Sequence, residues 1–142
     1  MSFSDFMNAT KKETAEIEYV AASNLVDANG KPLVWKLRPL KTADVEALRK
    51  SKSKKTVDSK TGLVSMDVDR DAFEESLLVK TIAVPDLTNK ELQDKFGCMD
   101  PIALLQRLVD IPGEYTALMR KVDELIGFSS PNINTLVDEA KN

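Results

Sequence analysis

The sequence predicts an α+β fold in which an N-terminal β-hairpin or small antiparallel sheet packs on a mainly helical bundle. Two observations lead to this prediction. Residues 16–38 contain two short segments in which apolar and polar side chains alternate, and an Asn-Gly turn separates them. Residues 86–128 carry apolar side chains at helical spacing, with start and stop signals for three helices.

The first elements are a short helix and the hairpin. Ser2 or Ser4 is expected to cap the helix. Residues 16–20 form the first predicted strand, and residues 33–38 form the second, in which Trp35 is a predicted core residue. On the exposed face of the hairpin, two acidic residues can lie across from two basic residues, a favourable arrangement: Glu16 and Glu18, with Lys36 and Arg38.

The middle of the chain is predicted to begin with a helix that Thr42 caps. Residues 49–61 are polar and lack periodicity, which predicts a flexible basic loop. A second small hairpin that turns at residues 58–62 is the alternative.

The second half of the chain is predicted to be helical. Asp69 or Asp71 is expected to cap a helix that runs through Ile82 and stops before the next proline. The three helices of residues 86–128 follow, and a short C-terminal helix is predicted at about residues 131–140.

Local signals specify the ends of these helices. Thr88 and Glu91 have the spacing of a capping box. Gly97 stands where a left-handed residue ends a helix. Asp100 and Pro101 form an N-cap and N1 pair for the next helix.

Composition predicts one globular domain, residues 1–142, with 42% hydrophobic and 30% charged residues. The start of the chain lacks the features of a signal peptide, and no apolar run has the length of a membrane span. The lone Cys98 fits a reducing cytoplasm and is expected in a turn between helices. Residues 1–60 hold 12 basic and 8 acidic residues, whereas residues 61–142 hold 8 and 15. This uneven charge can steer association between copies.

The residues that common catalytic and metal sites require are missing from the sequence. It has no histidine and no glycine-rich phosphate-binding motif. Residues 67–71 resemble the start of an EF-hand loop, but Ala72 and Leu78 replace the required glycine and glutamate. We therefore predict no catalytic residue, no metal ligand and no cofactor.

Residues 49–60 are the one candidate for nucleic-acid binding, because six of these twelve residues are basic. No aromatic residue among them can stack on a base, and the whole chain carries a net charge of −3. A solvated segment is therefore the favoured interpretation.

Five short motifs follow one another along the chain: WKLRPL at 35–40, TAD at 42–44, ELQDKFG at 91–97, GEYTAL at 113–118 and ELIGF at 124–128. Their order and spacing resemble those of the XkdN-like tail assembly chaperones of tailed phages and prophages. The resemblance covers about residues 16–128. None of these motifs carries a catalytic residue, so no functional residue is transferred from the family.

This resemblance implies a non-catalytic protein of the bacterial host cytoplasm that assists phage tail assembly and is absent from the mature virion. Its implied partners are the helical tape measure protein and the tail tube protein, and self-association is also considered. Neither a membrane nor nucleic acid is an expected partner. The alternatives are a structural head–tail or tail component that remains in the virion, and a nucleic-acid-binding module that uses the basic loop.

The predicted partner-binding residues lie near the C-terminal end of the sequence, on a segment too short to be firmly anchored: Phe128, Ile133, Leu136 and Val137. Many tail chaperones also exist in a longer form made by a −1 ribosomal frameshift. The final residues Ala140, Lys141 and Asn142 are compatible with the slippery heptamer A-AAA-AAC. An ordinary polar terminus is the alternative, and the gene sequence distinguishes the two.

Overall fold

The computed structural model describes residues 2–127. It confirms the predicted α+β class, with small antiparallel sheets and six described helices. The elements in chain order are α1 (Phe3–Met7), β1 (Ile17–Tyr19), β2 (Trp35–Leu37), α2 (Thr42–Ser51), β3 (Ser53–Val57), β4 (Val64–Val68), α3 (Arg70–Thr81), β5 (Ile82–Val84), α4 (Lys90–Lys95), α5 (Pro101–Leu108) and α6 (Pro112–Leu125).

The first sheet contains the predicted N-terminal hairpin. Its strand order is β1-β2-β5, and both pairings are antiparallel. Glu18 lies opposite Lys36, which confirms this part of the predicted charge pairing. Trp35 and Leu37 are buried whereas Lys36 between them is exposed, so one face of the sheet contacts the core. Gly30 turns the chain between the strands with a φ of 81°.

The third strand of this sheet corrects one prediction. Ile82 was expected inside a helix, but α3 ends at Thr81 and Ile82 begins β5. The β-branched residues Ile82 and Val84 suit a strand, and Pro85 after them disfavours continued helix. Pairing with β2 then supplies the hydrogen bonds that a longer helix would have supplied.

The predicted basic loop at residues 49–61 is largely ordered secondary structure. Residues 49–51 are the last turn of α2, and residues 53–57 form β3. The loop prediction is therefore wrong there, and the alternative of a second hairpin is confirmed, with β4 as its partner strand. At its base the Asp69 N–H donates to the Lys52 carbonyl oxygen at 2.8 Å. Cross-strand pairs stabilise this segment although it lacks an apolar period.

Two predicted N-caps are wrong by one residue, and in both cases a nearby aspartate explains the shift. Asp86 Oδ1 accepts from the Thr88 hydroxyl at 2.6 Å, which holds this side chain toward Asp86, and Asn89 caps α4 instead by accepting the Leu92 N–H. The capping box of Thr88 and Glu91 does not form. Helix α2 begins at Thr42 itself, because Asp44 Oδ2 accepts the Lys41 N–H at 3.2 Å and Lys41 is the N-cap.

Other end signals are confirmed. Asp69 caps α3 and Asp100 caps α5, each by accepting a backbone N–H of the first turn. Gly97 has a φ of 68° and follows Phe96, the C-cap residue of α4. Ser2 is the N-cap of α1, whose apolar residues remain exposed. Pro112 is the first residue of α6.

The core lies between the three-stranded sheet and the helices. Trp35 is 1% exposed, which confirms it as a core residue, and Cys98 is buried in the turn between α4 and α5. Helix α3 packs against α2, α5 and α6. A smaller cluster, Val45, Phe73 and Leu77, lies between α2 and α3. The main cluster consists of Ala21, Ala22, Trp35, Leu37, Leu78, Ile82, Leu87, Cys98, Leu104, Leu105, Leu108, Val109, Leu118 and Val122.

Candidate partner-binding groove

An apolar concave surface lies between helix α4 and the end of the three-stranded sheet at which β2 begins and β5 ends. We call it the Trp35 groove. Its volume is about 380 Å³. Lys95 is the one charged residue in its lining. The lining consists of Leu25, Val26, Leu33, Val34, Trp35, Val84, Pro85, Leu92, Lys95, Phe96 and Leu108.

The groove has a buried floor and an exposed apolar rim. Trp35 and Leu108 are 1% and 4% exposed, so the core fixes the floor. Four rim side chains are 40–52% exposed, and all of them are aliphatic: Val26, Leu33, Val34 and Val84. An apolar rim around a packed floor is suited to apolar side chains of a partner, because their contact would remove aliphatic surface from water on both sides.

The sheet explains why this surface stays open. β5 is an edge strand, and Val84 lies opposite Lys36 on the face that does not contact the core. Val34, directly before β2, is also exposed. Within residues 2–127 no fourth strand pairs with β5.

A single cation and a neighbouring anion define the electrostatics of the groove. Lys95 Nζ lies 5.9 Å from the centroid of the Phe96 ring. Asp86 follows the lining residue Pro85, and hydrogen bonds from the Thr88 hydroxyl and N–H hold the pKa of its carboxyl below the ordinary value. Asp86 and Lys95 both line a shallow depression beside the groove. An occupant would therefore meet aliphatic surface first and fixed charges at one end.

A larger depression of about 780 Å³ lies between α2, α3 and α5. Its lining includes Lys52, Glu75 and Asp100 beside apolar residues. Apolar partner side chains would have to desolvate these charged groups, which is costly. The smaller Trp35 groove is therefore the better candidate for an apolar contact.

The partner-binding residues predicted from the sequence, Phe128, Ile133, Leu136 and Val137, lie outside the described residues. Their role stays a prediction, as does the C-terminal helix at about residues 131–140. The Trp35 groove was not predicted. The valines at positions 26 and 34 and the β-branched residues Ile82 and Val84 were the signals that could have indicated it.

Acidic residues that could have suggested chemistry are solvated in the structure. Glu74 and Glu75 on α3 are exposed, as are Asp123 and Glu124 on α6. Residues 2–127 contain no group of three or more His, Cys, Asp or Glu side chains positioned to hold a metal ion. The acidic run at residues 67–71 instead supplies the Asp69 cap of α3.

A protein family described as "Phage XkdN-like tail assembly chaperone protein" matches residues 3–141, which is nearly the whole sequence. The chain belongs to this family. The resemblance seen in the five sequence motifs is thereby confirmed. Membership indicates partners among phage tail proteins and a non-enzymatic role.

Two relatives from Bacillus subtilis (strain 168) have similar lengths. The chain is 27% identical to "Phage-like element PBSX protein XkdN" over 137 residues, which are 96% of this chain and 91% of the relative. It is 26% identical to the protein YqbN over 138 residues, with the same two coverages. The crystal structure of YqbN matches the fold with a TM-score of 0.69 at 22% identity, over 91% of this chain and 98% of that chain.

None of the helices within residues 2–127 is long and apolar enough to cross a membrane.

Proposed function

We propose that this chaperone binds the tape measure protein of the phage tail through the Trp35 groove, without catalysing a reaction. The observation that carries the proposal is the apolar rim of the groove, where four aliphatic side chains surround a floor fixed by the core. The partner would present two or three apolar side chains of one helical face, at i, i+3 and i+4 spacing. A carboxylate on the same helix would be placed to pair with Lys95.

The size of the groove supports a contact with side chains rather than with a whole helix. A volume of about 380 Å³ is near the lower end of the range of roughly 300–1,000 Å³ for ligand pockets. One copy would therefore cover a short stretch of the tape measure protein. Several copies along it would keep its apolar faces from water until tail tube subunits replace them. In this proposal the chaperone acts in the host cytoplasm and leaves before the virion is complete.

Co-expression with the tape measure protein of the same phage tests the proposal. The tape measure protein should stay in solution and co-purify with the wild-type chaperone. Val84→Glu places a charge on the rim and should weaken the complex by about tenfold or more, because the carboxylate must be desolvated on binding.

Val20→Glu is the matched control, because Val20 and Val84 are both 46% exposed and only Val84 lines the groove. This variant should retain the complex. If the wild-type chaperone does not keep the tape measure protein in solution, or if the two variants behave alike, the groove assignment is wrong. Mass spectrometry of purified virions should detect no chaperone, and its presence would favour a structural tail component.

A further inference from the structure

The β3–β4 hairpin presents an apolar face to solvent. Six residues project from one face, because side chains alternate along each strand and pair across it: Ser53, Lys55, Val57, Val64, Met66 and Val68. The four apolar members of this face are 41–64% exposed. Nine of the ten residues in the two strands are exposed. Within residues 2–127 this sheet has no third strand.

A hairpin of this kind is incomplete by itself. An isolated two-stranded sheet is marginally stable in water and normally gains a third strand or a covering helix. Both outer edges also carry backbone N–H and C=O groups that no neighbouring strand pairs, which makes them templates for strand addition. The apolar face and the open edges together indicate that a segment from another molecule completes this sheet.

The charge of the hairpin selects the type of segment. Residues 49–68 hold six basic and two acidic residues, a net charge of +4, whereas the whole chain has −3. The remaining residues therefore carry −7. Lys55 lies on the apolar face and makes no ion pair within the described part of the chain, whereas Lys54 on the other face is 3.7 Å from Asp69. Lysines on an edge strand oppose pairing with an identical strand and attract an acidic one.

We propose that the β3–β4 hairpin binds an extended acidic segment of a partner protein, which adds as a third strand along β3. The segment would place acidic side chains beside Lys54 and Lys55, one on each face, and an apolar side chain beside Val57, where it extends the apolar face. The proposal rests on the proposed function for one point only, that the partner is another phage tail protein. This surface differs from the Trp35 groove in secondary structure and in charge, so the chaperone would hold two partners by different means.

The aliphatic character of the face favours a protein over a nucleic acid. Single-stranded nucleic acids bind on aromatic side chains that stack with bases. Residues 49–68 contain no aromatic residue, and their exposed apolar side chains are valine, leucine and methionine. Desolvating these side chains would contribute to protein binding and not to phosphate binding.

Fluorescence anisotropy with three synthetic peptides tests strand addition. The first peptide has about ten residues, a strand-length segment of valine and glutamate in which glutamates can lie beside Lys54 and Lys55 and a valine beside Val57. The second has lysine in place of glutamate, and the third is the glutamate peptide with a central proline that removes a ladder hydrogen bond. The glutamate peptide should bind the full-length chaperone. The lysine peptide should not bind, and the proline peptide should bind at least several-fold more weakly.

Two pairs of variants locate the binding site. Lys55→Glu should weaken binding of the glutamate peptide by about tenfold at low salt, because attraction becomes repulsion. Met66→Ser should weaken it by about fivefold through lost apolar contact. Lys12→Glu and Met99→Ser change exposed residues of the same types outside the hairpin, and both should bind normally. Circular dichroism of each variant checks that it is folded.

Several results would overturn the proposal. They are failure of the glutamate peptide to bind, equal binding of the proline peptide, and equal weakening by Lys12→Glu. Displacement of the peptide by single-stranded DNA would favour the nucleic-acid alternative. Self-association in sedimentation experiments that Lys55→Glu abolishes would identify a second copy as the occupant. These measurements use no tape measure protein, so their failure is distinguishable from failure of the Trp35 groove in co-expression.

Discussion

Replacing Gly97 by alanine tests how the α4 wall of the Trp35 groove is fixed. Gly97 ends α4 with a φ of 68°. Its N–H donates to the Asp94 carbonyl at 3.1 Å, and the Cys98 N–H donates to the Gln93 carbonyl at 2.8 Å, which is the Schellman arrangement. A Cβ at position 97 would meet no atom within 4 Å, so only the left-handed backbone opposes the substitution. Gly97→Ala should therefore lower the free energy of unfolding by about 1–2 kcal/mol.

Gly113→Ala is the matched control. A Cβ there also meets no atom within 4 Å, but Gly113 lies in the first turn of α6 and has no positive φ. Alanine should raise the free energy of unfolding by roughly 0.5–1 kcal/mol, because it reduces the freedom of the unfolded chain and favours helix. Gly97→Asn should cost less than Gly97→Ala, because asparagine tolerates the left-handed conformation.

Urea unfolding followed by the fluorescence of Trp35 measures these differences, provided that the m value stays the same in all variants. The two alanine variants should differ in free energy of unfolding by about 1.5–3 kcal/mol, the sum of the two effects. If Gly97→Ala is as stable as the wild type, the positive φ does not determine this helix end, and the reasoning is refuted.

Three further substitutions test hydrogen bonding. Thr81→Val should raise the free energy of unfolding by about 1 kcal/mol in urea experiments, because the buried Thr81 hydroxyl has no partner within residues 2–127. Gln93→Ala should lower it by about 1–3 kcal/mol, because Gln93 Nε2 donates to the Leu87 carbonyl at 2.8 Å in the core. Thr88→Val should raise the pKa of Asp86, measured by NMR titration, by removing the hydroxyl that stabilises its carboxylate. A carboxyl whose pKa is lowered by folding stabilises the folded protein at pH values above its unfolded-state pKa. That stabilisation is lost as the pH falls through the folded-state pKa. Thr88→Val should therefore lose less stability on acidification, and unchanged values would contradict the assignments.

The helix ends could be predicted from the sequence because their determinants are local. Asp100 accepts the Ala103 N–H at the start of α5, and Gly97 supplies the positive φ after the end of α4. Each residue lies next to the helix end that it determines. The same locality explains the error at Thr88. A competing local bond holds the Thr88 side chain toward Asp86, and the spacing of residue types does not reveal which bond forms.

The strands and the groove depend on contacts that are distant in sequence. Ile82 forms a strand because β2, more than 40 residues earlier, offers backbone partners. The Trp35 groove combines residues from Leu25 to Leu108, and no local pattern joins them. The β3 strand was the alternative and not the favoured prediction, because its lysines hide any apolar alternation and only pairing with β4 shows which face each side chain occupies.

The two proposed surfaces place different demands on the protein. The floor of the Trp35 groove belongs to the main core cluster, so the groove keeps its shape without a partner and binding needs little ordering. The β3–β4 hairpin has an exposed face and open edges, so a third strand would complete it and strengthen its own pairing. A chaperone must release its partner during assembly, which favours a small preformed contact repeated along the partner over one large interface. In the proposed function each contact is weak alone, so it dissociates quickly and a competing protein can remove the copies one by one.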